Sequence, residues 1–202
     1  MEANKIIITG GATRIGAAIA KKLSGPKVEI VIHFNKSKSK AEKLKRELSK
    51  NQTKVYLIRG DLSKERDVKK ILKFAKNIKG KNNNIINIID QRVFKLTPYF
   101  FSYTISKTGL YTLTKTSAMS LAPNIRVNGI APGPTIKNKR QTEKHFKKQY
   151  MATPLRKQVD VEEICNAVDF FIKNRSITGQ VLAIDSGQNL NWQTPDIMGS
   201  KE

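Results

Sequence analysis

Short apolar runs alternate along this chain with longer segments whose apolar residues recur at helical spacing. Ile6-Ile7-Ile8 reads as a first strand, followed by a glycine turn and a helix over residues 14–24. Val28 to Phe34 is almost continuously apolar, the pattern of a strand buried on both faces. Lys38 to Lys50 is a basic helix with Ala41, Leu44 and Leu48 on one side, and Val55 to Ile58 is a third strand, ended by Gly60-Asp61. Ser63 is placed to cap a helix whose apolar face is Val68, Ile71, Leu72 and Ala75. A polar loop over residues 79–84 leads into a strand from Ile85 to Ile89 and then Asp90. A long helix from about Ser102 to Ala122 stops at Pro123, and Ile125 to Ile130 is the next strand. Lys139 to Met151 reads as a basic helix, Asp160 caps another that runs to Lys173, and Val181 to Ile184 is a last strand before Asp185-Ser186-Gly187. Strands and helices in this order predict an α/β fold, a doubly wound parallel sheet with helices on both faces in three layers. With 202 residues, a single domain over residues 1–202 is expected.

Charge adds a question to this picture. The chain has 38 basic against 16 acidic residues, a net charge of +22, which brings nucleic acid or another polyanion into view. The basic set is 29 Lys and only 9 Arg, spread over most predicted helices. Base reading favours the planar Arg fork, so a solvated, lysine-biased surface is the expectation and no nucleic-acid partner is assigned. The lone Cys165 excludes an intramolecular disulfide, has no metal-ligand spacing around it, and lies in an apolar helix as a core residue. No metal is expected. The chain starts directly into a strand, without the regions of a signal peptide, and no stretch has the apolar length of a membrane span, so a cytoplasmic location and no membrane partner are expected.

The first candidate chemistry lies in Thr9-Gly10-Gly11-Ala12-Thr13-Arg14-Ile15-Gly16, between the first strand and the first helix. Gly10 permits a tight turn, Gly16 lets helix and strand approach, and the helix N-terminus offers N–H groups and a positive dipole to a pyrophosphate. Gly10, Arg14, Ile15 and Gly16 are therefore candidate dinucleotide contacts. The second strand ends in His33-Phe34-Asn35-Lys36-Ser37, with no carboxylate for an adenosine ribose hydroxyl and with a cation and a hydroxyl suited to a 2′-phosphate. NADPH is thereby favoured over NADH, with Asn35, Lys36 and Ser37 around the phosphate. Asp61, followed by Leu62, is placed for the adenine amine, although an Asp at a strand end is also an ordinary turn residue.

Tyr103 and Lys107 are four apart on a predicted helix and so share one face. A phenol is a weak acid near neutral pH, and a neighbouring ammonium is expected to lower its pKa toward a working value. Thirteen residues before Tyr103 a strand ends at Asp90.

A Y-x-x-x-K pair after that strand, together with the glycine turn, resembles the short-chain dehydrogenases. Asp in place of the usual Ser, Arg14 in place of the middle glycine, and the H-F-N-K-S run resemble the pteridine reductase branch, which reduces pterins or folates with NADPH. The resemblance implies Tyr103 as proton donor, Lys107 as its activator and a holder of the nicotinamide ribose, and Asp90 as a second acid-base and orienting group. It also implies that Pro132-Gly133 forms the turn over the nicotinamide and that Thr178 to Gly187 supplies the last strand. Gln91, Arg92 and Phe94, which follow Asp90, are loop candidates for the substrate pocket, as is Tyr99.

The resemblance also implies a gap. Only 28 residues separate Asp61 from Asp90, enough for one helix and one strand. The family has a further strand and helix there, so on the order of 40 to 60 residues are absent, at about residues 79–84. The absent strand belongs at the sheet centre beside the first, and the absent helix supplies an Asn of the proton relay and half of a subunit interface. Either the strand from Ile85 to Ile89 moves beside the first or the sheet opens there. Three functions follow: an NADPH-dependent oxidoreductase of pterin, folate-type or related carbonyl substrates; a catalytically impaired cofactor-binding homologue; and, from charge alone, a basic nucleic-acid binder. A homo-oligomer is left open.

Overall fold

The computed structural model describes residues 4–76, 83–138 and 141–192. Most of the predicted loop over residues 79–84, and Lys139 and Arg140 at the start of the predicted basic helix, lie outside the described residues. Two compact units are present.

The first unit comprises residues 1–83 and 164–175. Its strands are β1 (Asn4–Ile8), β2 (Val28–Phe34) and β3 (Lys54–Arg59), and its helices are α1 (Arg14–Lys22), α2 (Lys38–Ser49) and α3 (Glu65–Lys76). The strands form a parallel sheet in the order β1-β2-β3, with Ile6 opposite Ile30 and Ile30 opposite Val55. As its apolar run predicts, β2 is central, and every residue from Ile30 to Phe34 is buried. On α2, Ala41, Leu44 and Leu48 are the buried residues among exposed lysines. Truncating Leu48, which is 1% exposed, to Ala costs about 2–5 kcal/mol. Ile71 of α3 joins Val31 and Ile58 in one cluster, with Ile7 and Tyr56 packed against it, while Val68 is half-buried. The side chains of Leu72 and Ala75, predicted for the same face, lie outside the described residues. Ser63 does not cap α3: its hydroxyl donates to Asp61 Oδ1 at 2.8 Å. Cys165 is buried in α6 (Val161–Lys173), as its apolar surroundings predict.

The second unit comprises residues 84–163 and 176–202. Its strands β4 (Asn83–Ile88), β5 (Ile125–Pro132) and β6 (Val181–Ile184) form a second three-stranded sheet in the order β4-β5-β6, with β5 and β6 parallel. β5 is buried from Val127 to Pro132. Its helices are α4 (Phe101–Leu121) and α5 (Glu143–Met151), and 3-10 turns occupy Gln91–Val93 and Gln188–Leu190. Thr142 caps α5 by accepting from the His145 N–H at 3.1 Å. α4 packs on β5, yet in its 21 residues only Thr114 and Ala118 are buried. Phe101, Ile105, Leu113 and Met119 are each more than half exposed.

The α/β class with parallel strands is therefore as predicted. Each unit carries its own three-stranded sheet.

Candidate active site

The glycine turn of the first unit is held by a residue the sequence reading did not single out. His33 is buried at the end of β2, and its Nδ1 accepts from the Gly10 N–H at 3.2 Å. The ring proton then lies on Nε2, which donates to the Gly60 carbonyl at 3.1 Å. The His33 carbonyl also accepts from the Gly11 N–H at 3.1 Å. One side chain thus joins the turn after β1 to the end of β3. The signal was available, since His33 opens the H-F-N-K-S run, but a lone His carries no partner in its spelling.

Gly10 has φ +63°, and a Cβ there would meet nothing within 4 Å, so the turn opens onto free space. At Gly16 a Cβ would stand 2.6 Å from the Gly10 carbonyl oxygen, which is why helix and turn require glycine there. Arg14 has φ +52°, a left-handed backbone where glycine is at ease and an Arg is strained. Ile15 follows it, half-buried. Thr13, the N-cap of α1, makes no side-chain cap bond, and no acidic residue lies in the first turn. The same is true of Ser37 at the start of α2, beside the exposed Lys36. Neither helix N-terminus has a side-chain cap bond from its N-cap residue or an acidic first turn to oppose its positive dipole, which suits phosphate groups.

Asp61 is engaged locally. Its Oδ1 accepts from the Ser63 hydroxyl and, at 3.1 Å, the Ser63 N–H. Those bonds, with smaller help from Lys64 and the Asn35 side chain, hold its carboxyl below the usual carboxylate range. The turn-residue reading of Asp61 is thus realised, with Leu62 exposed beside it.

In the second unit, Asp90, Tyr103 and Lys107 come together as their spacing predicts. The Tyr103 hydroxyl donates to Asp90 Oδ2 at 2.7 Å, and Asp90 Oδ1 accepts from the Arg92 N–H at 2.9 Å, capping the 3-10 turn. Lys107 Nζ donates to the Ile88 carbonyl at 2.9 Å and lies 5.8 Å from the centre of the Tyr103 ring. The electrostatics differ from the expectation. Burial first, and then the bond to Asp90 and its negative charge, push the Tyr103 phenol well above its ordinary value. Burial pulls Lys107 below its ordinary value, against the opposing pull of Asp90. The ammonium does not lower the phenol pKa here, because the hydroxyl points to a carboxylate and the lysine bonds a carbonyl.

The loop candidates separate. Gln91 is buried, Arg92 lies 4.7 Å over the Phe100 ring, and Phe94 packs edge-on against Tyr111 at 5.6 Å. Tyr99 is 69% exposed, and only its backbone N–H is bonded, to Thr97 Oγ1. Gly133 after Pro132 serves close packing: its N–H donates to the Ile184 carbonyl, and a Cβ would stand 2.6 Å from the Asp185 Cα. A separate cleft of about 480 Å³ lies against α5, lined by Thr135, Phe146 and Tyr150 and by Lys137, Lys144 and Lys147, and includes none of Asp90, Tyr103 and Lys107. Among the described residues there is no group of three or more His, Cys, Asp or Glu able to hold a metal, and no helix is long and apolar enough to cross a membrane.

The sequence pattern of known families decides the lineage. Residues 4–81 match the model for short chain dehydrogenases, and residues 71–189 match that for enoyl-(acyl carrier protein) reductases. The chain belongs to the short-chain dehydrogenase/reductase family. Within that oxidoreductase family it is similar to FolM alternative dihydrofolate reductase 1 from Brucella canis, solved in complex with NADP: 34% identity, 96% of this chain and 97% of the other covered, TM-score 0.89. It is 32% identical over 109 residues to dihydromonapterin reductase from Klebsiella pneumoniae, covering 54% of this chain and 45% of that relative, so the match spans less than half of the relative's length. These two relatives support the pteridine reductase-like branch. Glucose 1-dehydrogenase 2 from Bacillus subtilis is 25% identical over 243 aligned positions, covering 91% of this chain and 94% of the relative. That alignment is longer than the 202-residue chain, so the relative has residues with no counterpart here.

Proposed function

We propose that this short-chain dehydrogenase/reductase is an NADPH-dependent reductase of a pterin or folate-type ring or a related carbonyl compound. The observation that carries the proposal is the Tyr103 hydroxyl bonded to Asp90, with Lys107 one helical turn further on. Similarity to a FolM alternative dihydrofolate reductase and a dihydromonapterin reductase supports the substrate class. NADPH, when bound, supplies the hydride.

The uncapped N-terminus of α1, the open space at Gly10, and Arg14, Ile15 and Gly16 fit the pyrophosphate. Lys36 and Ser37, with Asn35 beside them, fit a 2′-phosphate. Asp61 and Leu62 are assigned to the adenine end, and Pro132 and Gly133 to the nicotinamide end. At the substrate, a carbon of a C=N or C=O bond takes the hydride, and its nitrogen or oxygen takes the proton from Tyr103 Oη. The raised pKa keeps Tyr103 protonated at neutral pH and makes it a weaker acid than a free phenol, so its proton moves only as negative charge develops on the substrate atom with hydride transfer. Lys107, its Nζ 5.8 Å from the centre of the Tyr103 ring, is assigned to the nicotinamide ribose, and Asp90 orients the hydroxyl. Gln91, Arg92, Phe94 and Tyr99 are assigned to the substrate side.

A second reading has its own support. An α4 in which only Thr114 and Ala118 are buried fits loss of a neighbouring strand and helix at about residues 79–84. On that reading the chain binds cofactor but turns over poorly, and a homo-oligomer covering α4 is part of it. Titration with NADPH and NADH, followed by NADPH oxidation with dihydropterin, separates the readings. Tighter binding of NADPH with dihydropterin-dependent oxidation is the expected result. Binding without turnover supports the impaired homologue, and absence of NADPH binding overturns both.

A further inference from the structure

Two buried amide oxygens beside the candidate active site have no donor. Gln91, next to Asp90, is 5% exposed, and its Oε1 is fully buried with no hydrogen-bond partner. Gln188 Oε1 is in the same condition. The two 3-10 turns that carry them pack against each other. An unmade bond of this kind destabilises the fold, and folded proteins rarely leave one without a reason.

Nearby donors are already committed. The Phe94 and Lys95 N–H groups go to the Gln91 carbonyl, the Arg92 N–H and the Tyr103 hydroxyl go to Asp90, and the Gly187 and Asn189 N–H groups go to Asp185. These turns are bonded through backbone and carboxylate, and the two glutamine oxygens take no part.

We propose that Gln91, with Gln188 beside it, recognises a ligand through N–H donors: the amino group and adjacent ring N–H of a 2-amino-4-oxo-pyrimidine. The inference rests on the pterin reading above and deepens it by naming the ring edge that is read and the residues that read it. An amide oxygen accepts only, so it rewards a ring edge that donates and gives nothing to a plain ketone, whose oxygen also only accepts. The terminal torsion of a glutamine is soft, and a turn about it presents the buried oxygen to an arriving ring. In the free chain the unpaired oxygens are a stability cost that ligand binding relieves.

The test uses Gln91→Met and Gln188→Met in the full chain, each close in shape to the original and lacking the amide. Three quantities are read: the melting temperature of the free chain, the NADPH dissociation constant, and the dissociation constant of dihydrobiopterin with NADP present, from fluorescence quenching. The expected result is a free chain that melts at the same temperature or higher, unchanged NADPH binding, and pterin binding weakened about tenfold, the size of one lost hydrogen bond. A merely structural amide gives the opposite sign: a variant that melts lower, or does not fold, overturns the assignment for that residue. Unchanged pterin binding in both variants overturns the inference while leaving the pterin reading intact. A wild-type chain that binds NADPH and no pterin overturns the pterin reading and this inference with it.

Discussion

The Tyr103 hydroxyl gives its proton to a 2.7 Å hydrogen bond with Asp90, thirteen residues earlier in the chain, and that bond helps keep the phenol protonated. Asp90→Asn retains an acceptor and removes the charge. The Tyr103 pKa is then expected to fall, while staying above the ordinary phenol value because burial is the larger cause. Phenolate absorbance against pH, taken as the difference from Tyr103→Phe, checks this; an unmoved titration would show that the carboxylate is not felt.

The same raised pKa makes stability depend on pH. Below the ordinary phenol value of 10.0 the folded and unfolded chains both hold the proton, and the contribution of Tyr103 is complete. Above it the unfolded chain releases its proton first, so stability falls as pH climbs toward the folded-state value. Lys107, with its lowered pKa, works with the opposite sign, gaining stability as pH rises toward 10.5, and it is present in both chains compared. Urea midpoints above pH 10.0 are therefore expected to drop more steeply for wild type than for Tyr103→Phe.

His33→Leu keeps the bulk at the end of β2 and deletes both ring bonds. The Gly10 N–H and the Gly60 carbonyl lose their shared partner, a cost of about 1–3 kcal/mol in urea unfolding. Because Gly10 shapes the mouth of the turn, NADPH affinity is expected to fall as well, by calorimetric titration. An unchanged dissociation constant would separate the clamp from the cofactor.

Arg14 stands in a left-handed backbone that costs a non-glycine residue about 1–2 kcal/mol. Arg14→Gly is expected to relieve that strain and to weaken NADPH binding through loss of the cation. Chain stability and affinity moving in opposite directions is the signature to look for. A variant that binds NADPH as tightly as wild type would remove Arg14 from the cofactor site.

Gly109 lies inside α4, and a Cβ there would meet nothing within 4 Å. Gly109→Ala is expected to stabilise the chain by about 0.5–1 kcal/mol, the difference in helix propensity. Thermal melts at two protein concentrations check it; a loss of stability that appears only at the higher concentration would mean that a second copy approaches this position.

Periodicity alone placed most elements of this chain. β2 and β6 have the predicted bounds, Val28–Phe34 and Val181–Ile184, and α2 buries the three residues its spacing singled out. These are local matters: a run of apolar residues, a 3.6-residue stripe or a glycine before a helix is written in neighbouring positions. The Asp90, Tyr103 and Lys107 trio was also legible, because two members share a helix face and the third ends the strand before it.

Which atoms are bonded was decided by tertiary structure. Nothing in the spelling says that the Tyr103 proton goes to Asp90 while Lys107 turns to the Ile88 carbonyl, and the direction of the phenol pKa follows from that choice. His33 becomes a clamp only when the ends of β1, β2 and β3 meet, and Gln91 is an orphan only because the donors around it are spent elsewhere. The strand order within each sheet likewise depends on pairing between segments distant in the chain. Sequence determined the elements and the lineage, since both rest on short-range pattern; hydrogen-bond partners, burial and charge were settled in three dimensions, where the strength of each depends on what else lies within a few ångströms.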